Sequence, residues 1–172
     1  STHIRLLAEH FAGIGRDCVV TREPGGTALS EKIRGLLLDA REGAGMSART
    51  EILLFEAARA EHVDKLIRPS LEAGKIVICD RFYDSTSAYQ GAARAIRSAD
   101  VDFLNSFAAG SLAPDLTVVL DIDPREGLAR ARSRDGGAPD RMGSEGLEFY
   151  RKVREGFLAL ARSDPGRFAV VD

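Results

Sequence analysis

Sulfur, imidazole and net charge are all scarce in this chain. Its 172 residues include two cysteines, Cys18 and Cys79, and three histidines, His3, His10 and His62. Both cysteines sit inside short apolar runs, which favours small core residues in a reducing compartment over a disulfide. No histidine is spaced from a cysteine or an acid as a metal cage requires. The formal net charge is −2, so no polyanion-binding face is expected and nucleic acid is not a partner. No apolar run approaches the roughly 20 residues that span a bilayer, so no membrane partner is expected either. The start lacks the pattern of a secretory leader. With 44% apolar and 29% charged residues, the expectation is a single cytoplasmic domain with a full-sized core, and an enzyme.

Periodicity predicts alternating helices and strands. Ile4, Leu6, Leu7 and Phe11 recur at helical spacing over 2–12. Cys18-Val19-Val20 reads as a short strand and Glu23-Pro24-Gly25-Gly26-Thr27 as a turn, because proline and paired glycines continue neither regular structure. Ile33, Leu36, Leu37 and Leu38 mark a second helix. Ile52, Phe55, Arg59, Val63 and Leu66 mark a long one over 48–68. Strands are predicted at 76–80, 116–122 and 168–171. Helices are predicted from near Ser85, over 98–108, from Pro124 and over 144–162. This order implies an α/β three-layer sandwich with a parallel sheet covered on both faces. The chain enters directly on a helix and stops directly after a strand, so both ends read as cuts. A strand and a phosphate loop are expected ahead of Ser1, and a helix after the last strand.

The densest stretch is 75–91. Ile76-Val77-Ile78-Cys79 suits a strand buried on both faces, and it ends abruptly in Asp80-Arg81. Ligands of open α/β sheets bind beyond the carboxyl ends of the strands. An acid and an arginine at that edge face a metal and a phosphate, unless they merely cap the strand. The run continues as Phe82-Tyr83-Asp84-Ser85-Thr86-Ser87-Ala88-Tyr89-Gln90-Gly91.

Four segments in order resemble the thymidylate kinase family of bacterial type. They are Ser1 to Leu7, Thr21 to Thr27, Leu53 to Arg59, and Asp80 to Gly91. The resemblance covers essentially the whole chain. It implies a nucleoside monophosphate kinase fold of the P-loop NTPase kind over 1–172, with a lid at about 130–143. It also implies transfer of the γ-phosphoryl group of ATP to dTMP in dTTP synthesis, with Mg²⁺, and a homodimer. The alternative is a non-catalytic nucleotide-binding fragment or degenerate paralogue; a lysine upstream of Ser1 supports the enzyme, and its absence the binder.

The resemblance also distributes roles. Arg81 holds the dTMP phosphate with Arg22 beside it, because a guanidinium stays charged and grips phosphate with two donors. For Arg22 the alternative is a solvated loop charge. Asp80 orients Arg81 or a magnesium-bound water, and the Ser1 hydroxyl ligates Mg²⁺. Ser1 and Thr2 lie on the ATP side, although a serine there is also an ordinary helix cap. Phe55 and Arg59, four residues apart, share one helix face. Phe55 offers a platform for a pyrimidine and Arg59 a donor for O4 of thymine. The alternative has Phe55 in the core and Arg59 paired with Glu56 or Glu51. Thr86 meets the N3 edge with Gln90 nearby, and Tyr89 lies under the sugar. Ser85 serves the substrate or only caps a helix. In the lid, Arg134 reaches the transferring phosphate, with Arg132 and Arg130 next. The alternative there is a solvated basic turn.

Overall fold

The computed structural model describes residues 2–39, 41–134 and 140–172, apart from the side chains of Arg132 and Arg134. Helices and parallel strands alternate along it. They are α1 (Thr2–Gly13), β1 (Cys18–Arg22), α2 (Ala28–Leu38), α3 (Ala48–His62), α4 (Arg68–Glu72), β2 (Ile76–Asp80) and α5 (Tyr83–Thr86). The order continues with α6 (Ser98–Ala108), β3 (Thr117–Leu120), α7 (Pro124–Arg134), α8 (Leu147–Ser163) and β4 (Phe168–Val171). The fold is α/β, as the periodicity predicts.

The strands form two parallel pairs. β1 runs beside β2 from Cys18↔Ile76 to Arg22↔Asp80, and β3 beside β4 from Thr117↔Phe168 to Leu120↔Val171. The first register matters most for function. It sets Arg22 beside Asp80 at the carboxyl edge, and the Glu23 N–H continues the ladder to the Asp80 carbonyl at 3.0 Å. The second pair departs from expectation. Val118 and Leu120 alternate outward from β3 and are exposed, so this strand is covered on one face rather than two. It is also shorter than the predicted 116–122.

The predicted helix over 48–68 is a continuous helical stretch over 48–72 that widens into a π-helical segment, Val63–Ile67. Pro69 explains the change, because it has no N–H to donate to an earlier carbonyl. The Arg68 N–H reaches back to the Val63 carbonyl, and the Ser70 hydroxyl donates to the Leu66 carbonyl at 2.6 Å. α5 likewise continues as a π-helical segment, Ser87–Ala93. Its start corrects the reading of Ser85. The helix begins at Tyr83, its cap position is Phe82, and the Ser85 N–H donates to the Phe82 carbonyl, so Ser85 sits inside the helix and caps nothing. α8 begins at Leu147, later than predicted, because Tyr150 and Ser144 tie down the preceding turn through the carbonyls of Met142 and Arg141.

The core lies where α8 crosses the Ser87–Ala93 segment. Gly156 makes that crossing close: a Cβ there would lie 2.9 Å from Ala92 Cβ and 3.1 Å from Ala88 Cα. Ala88, Val101, Val153 and Phe168 are buried around it, and Val63 and Ile67 are buried on the stretch that follows α3.

Candidate active site

α3 buries an unusual face. Its buried residues are Glu51, Ile52, Glu56, Ala58, Arg59 and His62, mostly polar. Ser47 starts the helix by accepting the Thr50 N–H at 3.2 Å, an ordinary serine cap. Glu51, Phe55 and Arg59 follow at four-residue intervals and so share one face. The opposing helix carries Thr86 and Gln90, also four apart. Arg59 Nη1 donates to Thr86 Oγ1 at 3.1 Å, and Gln90 Nε2 donates to Glu51 Oε1 at 2.8 Å. The two helices are joined by two polar rungs. Phe55 is half-buried on α3, one turn from each rung.

Arg59 is 2% exposed and held from several directions. Its Nε donates to Glu23 Oε2 at 2.8 Å, and its Nη1 to Glu56 Oε1 at 2.5 Å. Burial alone would lower its pKa, but the charges of Glu23 and Glu56 outweigh burial and raise it. Its Nη2 donates to no described residue. The guanidinium carbon lies 5.5 Å from the centroid of the Phe82 ring. Pairing with Glu56 is thus realised, and pairing with Glu51 is not.

Glu23 extends the cluster. Its Oε1 meets His62 Nδ1 at 3.0 Å, and His62 Nε2 meets Thr21 Oγ1 at 2.7 Å. His62 is completely buried. Gly26, at φ +88°, makes room for it: a Cβ there would lie 2.5 Å from His62 Nε2 and 2.6 Å from Thr21 Oγ1. The glycine turn and the end of α3 are thereby fitted to each other.

Arg81 stands at the edge of β2 with φ +74°, a conformation that few non-glycine residues adopt and that clusters at functional sites. It is exposed, and its guanidinium carbon lies 5.1 Å from the Tyr89 ring centroid. Arg22 is exposed and pairs with Glu31 at 3.1 Å. The Gly26 N–H and Arg22 together hold the Glu31 carboxyl below its usual range. Asp80 is exposed beside them. Burial pushes the Cys79 thiol far up from its ordinary range. The edge therefore offers two arginines and a carboxylate to solvent.

The thymidylate kinase family profile matches residues 1–172. This chain belongs to the thymidylate kinase family. It is 51% identical over 176 residues to the thymidylate kinase of Pelobacter propionicus, covering 100% of this chain and 80% of that protein. It is 50% identical over 177 residues to that of Desulfovibrio desulfuricans, covering 100% of this chain and 81% of the other. The crystal structure of the thymidylate kinase from Ehrlichia chaffeensis superposes with a TM-score of 0.76 at 37% identity. That match covers 99% of this chain and 82% of that one.

Against this family frame, the residues singled out from sequence fall into groups. Arg59 with Thr86, and Arg81 with Tyr89, are brought together; Phe55 and Gln90 flank the first pair on the same two helices. Ser85 is half-buried within α5. Thr2 is exposed at the start of α1. Arg130 is exposed on α7 and pairs with Glu126 on its own helix. Ser1 and the side chains of Arg132 and Arg134 lie outside the described residues. Glu23 and His62 were not singled out, and Glu51 and Glu56 were named only as alternative partners of Arg59. Glu51, Glu56 and His62 share α3 with Arg59, and their spacing marks a charged face on a buried helix; Glu23 lies beyond β1 and carries no such local signal.

Proposed function

We propose the following division of labour for this chain, which as a thymidylate kinase transfers the γ-phosphoryl group of ATP to dTMP. The thymine ring lies on Phe55, with O4 accepting from Arg59 Nη2 and the N3 edge meeting Thr86 and Gln90. An arginine donor at O4 rejects cytosine, whose amino group is itself a donor there. Tyr89 lies under the sugar and leaves no room for a ribose 2′-hydroxyl; Ser85 lines the same side. Arg81 grips the 5′-phosphate with Arg22 beside it. Phosphoryl transfer then needs alignment and neutralisation of spreading charge rather than a covalent partner.

Ser1 and Thr2 are assigned to the ATP side. Arg130, Arg132 and Arg134 belong to a lid over about 130–143, with Arg134 reaching the transferring phosphate as charge develops. Mg²⁺ accompanies ATP. Among the described residues no group of His, Cys, Asp and Glu could cage a metal unaided. The ion would be held by the Ser1 hydroxyl and, through a water, by Asp80, and would supply neutralisation of phosphate charge. The enzyme works in the cytoplasm as a homodimer, and the stretch 48–72, from which Leu53 emerges 54% exposed, supplies part of the interface.

The observation that supports this reading is that Phe55 lies one helical turn from both Arg59, which bonds Thr86, and Glu51, which bonds Gln90. The test is phosphoryl transfer from ATP to a panel of nucleoside monophosphates by the full-length protein. The expected order places dTMP first and dCMP far behind. A purine monophosphate as best acceptor would overturn the base site.

A further inference from the structure

We propose that Glu51 is a positioning residue that fixes which end of the Gln90 amide faces the nucleotide. The proposal rests on the base-site reading above and adds a specificity device to it. Glu51 is 1% exposed and carries no apparent duty toward substrate itself. Its carboxylate is nevertheless the meeting point of three side chains distant in sequence. Oε1 accepts from Gln90 Nε2 at 2.8 Å and from Arg94 Nε at 3.2 Å. Oε2 accepts from Arg94 Nη2 at 3.2 Å and from Arg141 Nη1 at 2.6 Å.

An ionised carboxylate accepts only, so the Gln90 end that meets it must be the NH₂ group. The carbonyl end is then turned away from Glu51. Gln90 Oε1 accepts from no described residue. It is left as a fixed acceptor, and thymine presents a donor, N3–H. Cytosine presents an acceptor at the same ring position and meets lone pair against lone pair. Without Glu51 the amide is free to rotate and offers either end, so the discrimination is lost.

The two arginines make the arrangement rigid. Arg141 also donates from Nε to the Leu37 carbonyl at 2.7 Å, and its backbone N–H to the Leu38 carbonyl at 3.0 Å. Arg94 also pairs with Glu145 and lies 4.7 Å from the Phe149 ring centroid. The carboxylate is thus held from α2, α8 and the turn before it, while its remaining reach is spent on Gln90. A glutamine at this position cannot copy it. Arg94 and Arg141 would compete for its single oxygen, leave its NH₂ toward Gln90, and invert the Gln90 amide.

The experiment compares the full-length wild-type protein with Glu51→Gln, using dTMP and 5-methyl-dCMP, which keeps the ring and the methyl group but presents an acceptor at N3 and an amino donor at position 4. Wild type is expected to prefer dTMP at least about a hundredfold in kcat/KM, the scale of two mismatched buried hydrogen bonds. Glu51→Gln is expected to lose about tenfold of that ratio, the share owed to N3, and to raise the KM for dTMP, with the KM for ATP within about twofold. General loosening of the fold would not narrow the ratio between two isosteric acceptors. Wild type that treats the two alike overturns the base-site reading itself. Wild type that discriminates, with a variant that discriminates equally, overturns only the role of Glu51. Should Glu51→Gln fail to fold, hydrogen exchange of the wild-type Gln90 side-chain amide decides. One of its two protons exchanging slowly, with or without dTMP, supports the carboxylate bond; both exchanging freely overturns it.

Discussion

Arg59 and Arg130 each pair with a glutamate on their own helix, yet the two pairs behave as opposite kinds of object. Arg59 and Glu56 are 2% and 6% exposed, three residues apart on α3. Arg130 and Glu126 are 71% and 54% exposed, four apart on α7. A buried pair has lost its water and must be satisfied by neighbours, so its geometry is fixed. An exposed pair exchanges easily with solvent and contributes little. Around Arg59 the fold thus spends its charges on rigid placement. On α7 Arg130 is held only by an exposed pair that exchanges with solvent. Under the proposed function, specificity and charge neutralisation fall to different helices, built by different physics.

The comparison breaks most visibly at Arg59. Arg59→Ala leaves Glu23 and Glu56 buried without their cation, and Glu56 Oε2 already lacks a hydrogen-bond partner among the described residues. A loss of about 3–5 kcal/mol is expected in chemical denaturation; less than about 1 kcal/mol would mean that the cluster relaxes freely. Arg81→Ala should spare the fold and weaken dTMP binding by about 2–5 kcal/mol in titration calorimetry. Unchanged affinity removes Arg81 from the phosphate site. Arg134→Ala in the full-length enzyme should lower kcat by about 10²-fold with little change in dTMP affinity, since its contact forms mainly in the transition state. Unchanged turnover there, with loss at Arg132 or Arg130, would move the role along the helix.

A pH series sharpens the contrast further. Burial alone would raise the Glu51 pKa, but hydrogen bonds from Arg94, Gln90 and Arg141 outweigh it and hold it below the ordinary 4.5. The stability that Glu51 adds is therefore fully present above about pH 4.5 and is lost as pH falls through its folded value. Melting temperature between neutral and acid pH should fall more steeply for wild type than for Glu51→Gln, and parallel curves would contradict this. The smallest effect belongs to the exposed pair. Arg130→Ala should change unfolding free energy by no more than about 0.5 kcal/mol.

What could be read from sequence divides along the same line. The long helix carrying Phe55 and Arg59, the strand ending at Asp80, and proline opening α7 were all legible, because periodicity and proline chemistry are local. The buried cluster was not. Glu23 lies 36 residues from Arg59 and 39 from His62, and Gln90 lies 39 from Glu51. No local pattern announces such partners. The π-helical widening at Val63–Ile67 was hidden because it arises from one missing donor at Pro69 within an otherwise regular pattern. Ser85 was misread as a possible cap because the residue type fits that role, while the backbone starts its helix at Tyr83.

The account stands or falls on where the base sits, and a crystal structure with dTMP bound tests that directly. The ring is predicted to lie flat against Phe55 with O4 at Arg59 Nη2, N3 toward Gln90 Oε1, and the 5′-phosphate at Arg81. A ring bound away from Phe55, or one whose O4 edge faces Glu51 rather than Arg59, would contradict it.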